Sequence, residues 1–178
     1  MQSRKQLLIE TALRLFNQYG YHATGIDLIL AESKVSKATL YKYFRSKDEL
    51  ILAALQERHE QVLTMIKTKL ATTTETGSKN VLVIFDALND WFNSDDFYGC
   101  SFINATAEYT DSMNPIHVFA AQHKQSIVDL VRAQLSATEN HKADQIGLLV
   151  EGAIVMAHTR SMKNSALLAK QMASHLVL

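Results

Sequence analysis

Two helix-start signals stand ten residues apart in this chain, at Ser36 and Ser46, and the short helix they bracket constrains what surrounds it. Ser36 is a good N-cap, because a serine hydroxyl accepts a bond from a free N–H of the first turn. Ser46-Lys-Asp-Glu49 has the serine and the glutamate three residues later that together form a capping box, so a second helix starts there. The helix between them, Lys37–Phe44, carries Lys37, Thr39, Tyr41 and Lys42 and ends at Arg45-Ser46-Lys47. Few enzymes expose that density of phosphate-seeking groups on one short helix. Proteins that read DNA commonly do.

The flanking pattern is helical throughout. Leu7, Leu8, Ala12, Leu15, Phe16 and Tyr19 recur at helical spacing over residues 3–19, and Gly20 follows as a stop. Thr24-Gly-Ile-Asp27 opens a second helix, with Ile26, Ile29 and Leu30 facing a core through Glu32, and Ser33-Lys34-Val35 makes a turn. A long helix is expected from about 47 to 70, and Thr72-Thr-Thr-Glu-Thr-Gly-Ser78 reads as a solvated loop. Helices are then expected over Val81–Phe92, Cys100–Tyr109, 115–136 (with Pro115 at its first position), 141–162 and 165–176. Six glycines and one proline in 178 residues agree with long helices and argue against a turn-rich β fold. The expectation is an all-α chain of about nine helices, with a three-helix domain over 1–46 and a second domain over 47–178.

The formal net charge is zero, which hides an asymmetry. Residues 1–50 hold eight Lys/Arg against five Asp/Glu, while residues 51–178 hold ten against thirteen. A basic head on an acidic body fits a protein of which one end meets phosphate. A single cysteine excludes an internal disulfide framework and suits a reducing cytoplasm. The N-terminus lacks the apolar run of a signal peptide, and no stretch approaches the length of a membrane span. A cytoplasmic protein with no membrane contact is expected.

Helix, tight turn and short basic helix make a helix-turn-helix. Its second helix would enter the major groove, where Lys37 suits guanine O6/N7 and Thr39 offers a hydroxyl or meets a thymine methyl. Tyr41, Lys42 and Lys47 are placed for phosphate. Backbone N–H groups near Thr24 and Gly25, and at the capped starts marked by Ser36 and Ser46, suit the same anions. Ile9 to Leu50 resembles the N-terminal domain of the TetR family of transcriptional regulators. The resemblance rests on Ala12, Leu15, Phe16, Gly20, Thr24, Ile29, Val35-Ser36-Lys37, Thr39-Leu40-Tyr41, Tyr43-Phe44 and Ser46-Lys47-Asp48-Glu49-Leu50. It implies an all-α homodimer that represses a promoter until a small molecule binds the C-terminal domain. It also implies base contacts from Lys37 and Thr39, and backbone contacts from Tyr41, Lys42 and Lys47. Two positions depart from the family pattern. The turn has Ser33-Lys34 where Ala-Gly is usual, so it must form without glycine, and Lys34 adds a candidate phosphate contact. Ala38 stands where Gly is frequent.

The body is less legible. Gly99-Cys100-Ser-Phe102-Ile-Asn104-Ala105 resembles a subgroup of the same family with a Gly-Cys-x-Phe-x-Asn-Ala segment. Phe85, Trp91, Phe92, Cys100, Phe102, Tyr109 and Phe119 are the candidates for lining an effector pocket, although aromatic stripes are more often plain core. Cys100, at the apparent start of a helix, has two readings: a thiol that senses electrophiles, or a small buried apolar residue. The second is favoured, since no other cysteine can resolve a sulfenic acid. His117 and His123 are six apart, a poor spacing for a shared metal, and neither metal nor cofactor is expected. The stretch 146–157 is apolar nearly all round, so its helix is expected to be buried on more than one side. Together with 165–176 it is the candidate for a twofold four-helix interface, through Gly147, Val150, Ile154, Ala157, Leu168 and Met172.

The expected partners are therefore double-stranded DNA, a second copy of the chain and an unidentified small molecule. A nucleoid-bound scaffold that holds a protein partner and no small ligand is the other reading. No Ser/His/Asp order, phosphate loop or HExxH motif points to an enzyme.

Overall fold

The computed structural model describes residues 3–177, so the outermost residues of the two expected domains lie outside it. Among the described residues there are nine α-helices and no strand. They are α1 (Arg4–Tyr19), α2 (Ile26–Ser33), α3 (Lys37–Tyr43), α4 (Lys47–Thr72), α5 (Val83–Phe92), α6 (Ser101–Glu108), α7 (Pro115–Gln134), α8 (Ala143–Thr159) and α9 (Ser165–Ser174). Short 3-10 turns over Gly77–Leu82 and Asn140–Lys142 lead into α5 and α8.

Local chemistry sets most of the boundaries. Ser3 caps α1 by accepting from Gln6 N–H at 3.1 Å. Gly20 ends α1 at φ 89°, a backbone that a side chain rarely adopts, and its N–H returns to the Phe16 carbonyl. Ser36 accepts from Thr39 N–H at 3.2 Å, and Ser46 from Glu49 N–H at 3.2 Å. Glu49 closes its capping box one residue early, accepting from Arg45 N–H at 2.7 Å. The start of α2 differs from expectation. Its N-cap is Gly25, with no side-chain cap, because the Thr24 hydroxyl is used elsewhere.

The chain packs as two compact units that do not follow a break at residue 46. One comprises residues 3–61 and 100–123. Its core includes Leu8, Leu15, Phe16, Tyr21, Ile29, Leu40, Phe44, Leu50, Leu55 and Phe102, all nearly or fully buried. Here α1 packs against α2 and α3. The other comprises 62–99 and 124–177, with α9 packed on α8 and α5 around Ile84, Phe85, Phe92, Ile146 and Ala166. In that unit Glu139 accepts from Ser78, Ser136 and Lys142. These bonds hold its carboxyl at about 2. Buried apolar area is the main stabilising term in both units, at ~25 cal/mol per Å² removed from water.

Candidate nucleic-acid interface and its supports

The turn before α3 forms without glycine because Lys34 itself takes the left-handed conformation, at φ 55° and ψ 28°. Ser33 is buried and its hydroxyl accepts from Val35 N–H at 3.4 Å. Val35, Leu40 and Phe44 point into the core, which leaves Lys34, Ser36, Lys37, Tyr41, Lys42 and Tyr43 on the outside. The exposed side of α3 thus gathers two lysines, Lys37 and Lys42, with Lys34 just before it and two tyrosine hydroxyls beside them. Lys37 lies 4.0 Å from the Asp27 carboxylate at the first turn of α2, and both side chains are open to solvent. Thr39 is half-buried, and its hydroxyl shares a 2.8 Å hydrogen bond with that of Ser36.

Thr24 requires a correction. It is 0% exposed, and its hydroxyl donates to the Gly20 carbonyl at 2.7 Å and the Leu15 carbonyl at 3.2 Å. A residue enclosed in this way supports the corner after α1 and cannot touch phosphate. Gly25 is exposed. Lys47 is partly buried and its ammonium donates to the His22 carbonyl at 3.3 Å. Burial lowers its proton affinity, and the nearby Glu108 and Asp48 charges counter this.

A group that sequence reasoning missed lies at this same corner. The Glu108 carboxylate, at the last position of α6, accepts from Tyr21 N–H at 2.8 Å and His22 N–H at 2.6 Å, and lies 2.8 Å from His22 Nδ1. Burial alone would push this carboxyl up, but the bonds from His22 and Tyr21 outweigh it and hold the group below its ordinary range. The His22 ring stacks on Tyr109, with centroids 4.9 Å apart and 24° between planes. At the other end of α6, the Tyr21 hydroxyl donates to the Ser101 carbonyl at 2.8 Å, and Ser101 Oγ donates to Asn17 Oδ1 at 2.5 Å. The partners lie 80 or more residues apart in the chain, so no local pattern could have paired them.

The candidate effector residues fall into separate groups. Phe85, Trp91 and Phe92 belong to one compact unit, with Phe85 and Phe92 fully buried. Cys100, Phe102, Tyr109 and Phe119 belong to the other. Cys100 is buried at the N-cap of α6, and Phe102 stacks on the buried His123 at 3.5 Å between centroids. His123 Nδ1 in turn lies 2.9 Å from His59 Nδ1, while His117 faces the Tyr109 carbonyl. Among the described residues no three His, Cys, Asp or Glu side chains converge on a metal-sized site.

On α8 the candidate interface residues also need correcting. Gly147, Val150, Ile154 and Ala157 are buried inside their own unit. A helix that is apolar all round does not reveal which face its own chain covers. The open face carries Leu148, at 73% exposure, with Val155 and Met156, and α9 adds Leu167, Leu168 and Met172. Between them lies an apolar groove of about 220 Å³ lined by Leu148, Gly152, Met156, Leu168 and Met172.

An exposed basic helix after a tight turn, on a three-helix head, defines a helix-turn-helix protein. Residues 8–54 match the family described as "Bacterial regulatory proteins, tetR family". The transcriptional activator FasR of Mycolicibacterium smegmatis is 32% identical over 146 residues, 82% of this chain and 65% of FasR. The uncharacterised regulator YuxN of Bacillus subtilis is 32% identical over 116 residues, 64% of this chain and 39% of YuxN. The chain thus spans less than two thirds of the length of these two relatives. The crystal structure of SCO4454, a TetR-family regulator from Streptomyces coelicolor, superposes with a TM-score of 0.88 at 28% identity, covering 98% of this chain and 95% of that one. Residues 8–54 thus carry the DNA-binding domain that the family model describes, and the chain shares the fold of a TetR-family transcriptional regulator. Among the described residues no helix is long and apolar enough to cross a membrane.

Proposed function

We propose that this protein is a dimeric DNA-binding transcriptional regulator that represses a promoter and is released from a pseudo-palindromic operator by a small molecule. The observation that carries the DNA-binding reading is the exposed surface of Lys37, Tyr41 and Lys42 on a helix capped by Ser36, with Lys34 just before it. Lys37 and Thr39 read base edges from the first turn of α3, and Tyr41 and Lys42 with Lys34 grip phosphate on either side. Residues 1–46 act as the reading head and 47–178 as the sensing and pairing body.

Pairing is supported by the open apolar face of α8 and α9. Leu148, Val155, Met156, Leu168 and Met172 together exceed what scattered surface apolar residues account for. A second copy related by a twofold axis covers that face with the same residues, and it presents two heads to successive half-sites. Release follows from population shift: a ligand that binds better to the conformation with mismatched heads lowers operator affinity by its differential affinity.

The test is selection of bound duplexes from random-sequence DNA with the wild type and with Lys37→Ala. The wild type is expected to enrich a two-half-site motif, and Lys37→Ala to lose preference at one base per half-site. Enrichment of no motif would overturn the DNA-reading assignment. Loss of the chain should raise expression beside the selected site; a fall would mark an activator, the role that FasR's name carries.

A further inference from the structure

The corner after α1 is held by one carboxylate that the DNA-reading surface does not use. We propose that Glu108 is a positioning residue for the reading head, fixing the α1–α2 corner so that two heads keep the spacing of a two-half-site operator. This rests on the DNA-binding reading above.

The geometry argues for a dedicated anchor. Tyr21 and His22 follow the end of α1, so no helix uses their N–H groups, and both converge on the two oxygens of Glu108. Successive N–H groups turned to one side make a natural seat for an anion, and here the anion belongs to α6. Gly20 is required twice over. It adopts φ 89°, and a Cβ there would stand 2.9 Å from Glu108 Oε1. The corner is therefore built to let the carboxylate approach closely.

The anchor does not act alone. Lys47 ties the start of α4 to the His22 carbonyl, and Tyr21 with Asn17 grips the Ser101 end of α6. The head is thus pinned at both ends of one eight-residue helix. A carboxylate is needed and an amide does not suffice. Oε1 receives Tyr21 N–H and Oε2 receives His22 N–H, so glutamine would place its NH₂ against one of these donors.

The test compares wild type with Glu108→Gln on three readouts. The duplexes are an operator selected from random DNA by the wild type and the same duplex with one half-site scrambled. If Glu108 positions the head, Glu108→Gln weakens binding to the two-half-site duplex about tenfold. Its affinity for the single half-site should stay close to that of the wild type, because the reading surface is untouched. Hydrogen exchange at the Tyr21 and His22 amides should quicken, with the interior of α1 unchanged. Equal loss on both duplexes would mean a merely structural role and would overturn the proposal, as would unchanged binding to the full operator or unchanged exchange at the corner. Failure of the wild type to select any sequence would refute the DNA reading itself, and the proposal with it. That outcome is recognisable because it appears in the wild-type arm.

Discussion

Lys34 joins a local strain to a proposed contact, and the two can be separated. Its backbone sits at φ 55° and ψ 28°, where a residue with a Cβ incurs ~1–2 kcal/mol. Glycine relieves that strain but loses ~0.5–1 kcal/mol through greater freedom in the unfolded chain. Lys34→Gly is therefore expected to stabilise the protein by about 0.5–1 kcal/mol, a rise in Tm of about 2 °C for a chain of this size. Lys34→Ala keeps the strain and removes the charge, so it should show no such gain. Both variants lose the proposed phosphate contact. Since log K falls with log salt by ~0.9 per phosphate neutralised, a dimer with two heads should lose about 1.8 from that slope in either variant. The assays are thermal unfolding followed by circular dichroism, and operator binding between low and moderate salt. A Lys34→Gly protein no more stable than Lys34→Ala would refute the strain argument. An unchanged salt slope in both variants would remove Lys34 from the interface.

Other substitutions probe the supports. Tyr21→Phe keeps the ring in place and removes the bond to the Ser101 carbonyl, so a loss of about 1 kcal/mol in urea unfolding is expected, and no loss would show that bond to be idle. Glu108 titrates below its ordinary value of 4.5 in the folded chain, so its stabilisation is present above that value and lost as pH falls through the lower folded one. The stability difference between wild type and Glu108→Gln should accordingly shrink on acidification below about pH 4.5, and a difference constant with pH would contradict this. Leu148→Glu places a charge on the open face of α8 without disturbing the core, so sedimentation should show a folded monomer. Persistence of a dimer at micromolar concentration would move the interface elsewhere.

The helices and the exposed basic surface around α3 are legible in the sequence alone, because both are local. Ser36 and Ser46 each fix a helix start through a bond to a residue three positions on, and alternation over a few turns sends Leu40 and Phe44 inward and Lys37 and Lys42 outward. Tertiary structure decided what depends on distant neighbours. Thr24 looks like an exposed cap from its flanking residues, yet the end of α1 encloses it and takes its hydroxyl. Nothing near Gly20 or Glu108 in the chain announces that they meet. The apolar stretch of α8 has no polar stripe to mark its outside, so only the packing of α5, α7 and α9 in its own unit shows that Val150 and Ile154 are covered while Leu148 is open. Short-range hydrogen bonds and periodicity can be read along a chain. Which of two apolar faces is buried, and which carboxylate fills a turn, is settled by residues that the chain brings together only on folding.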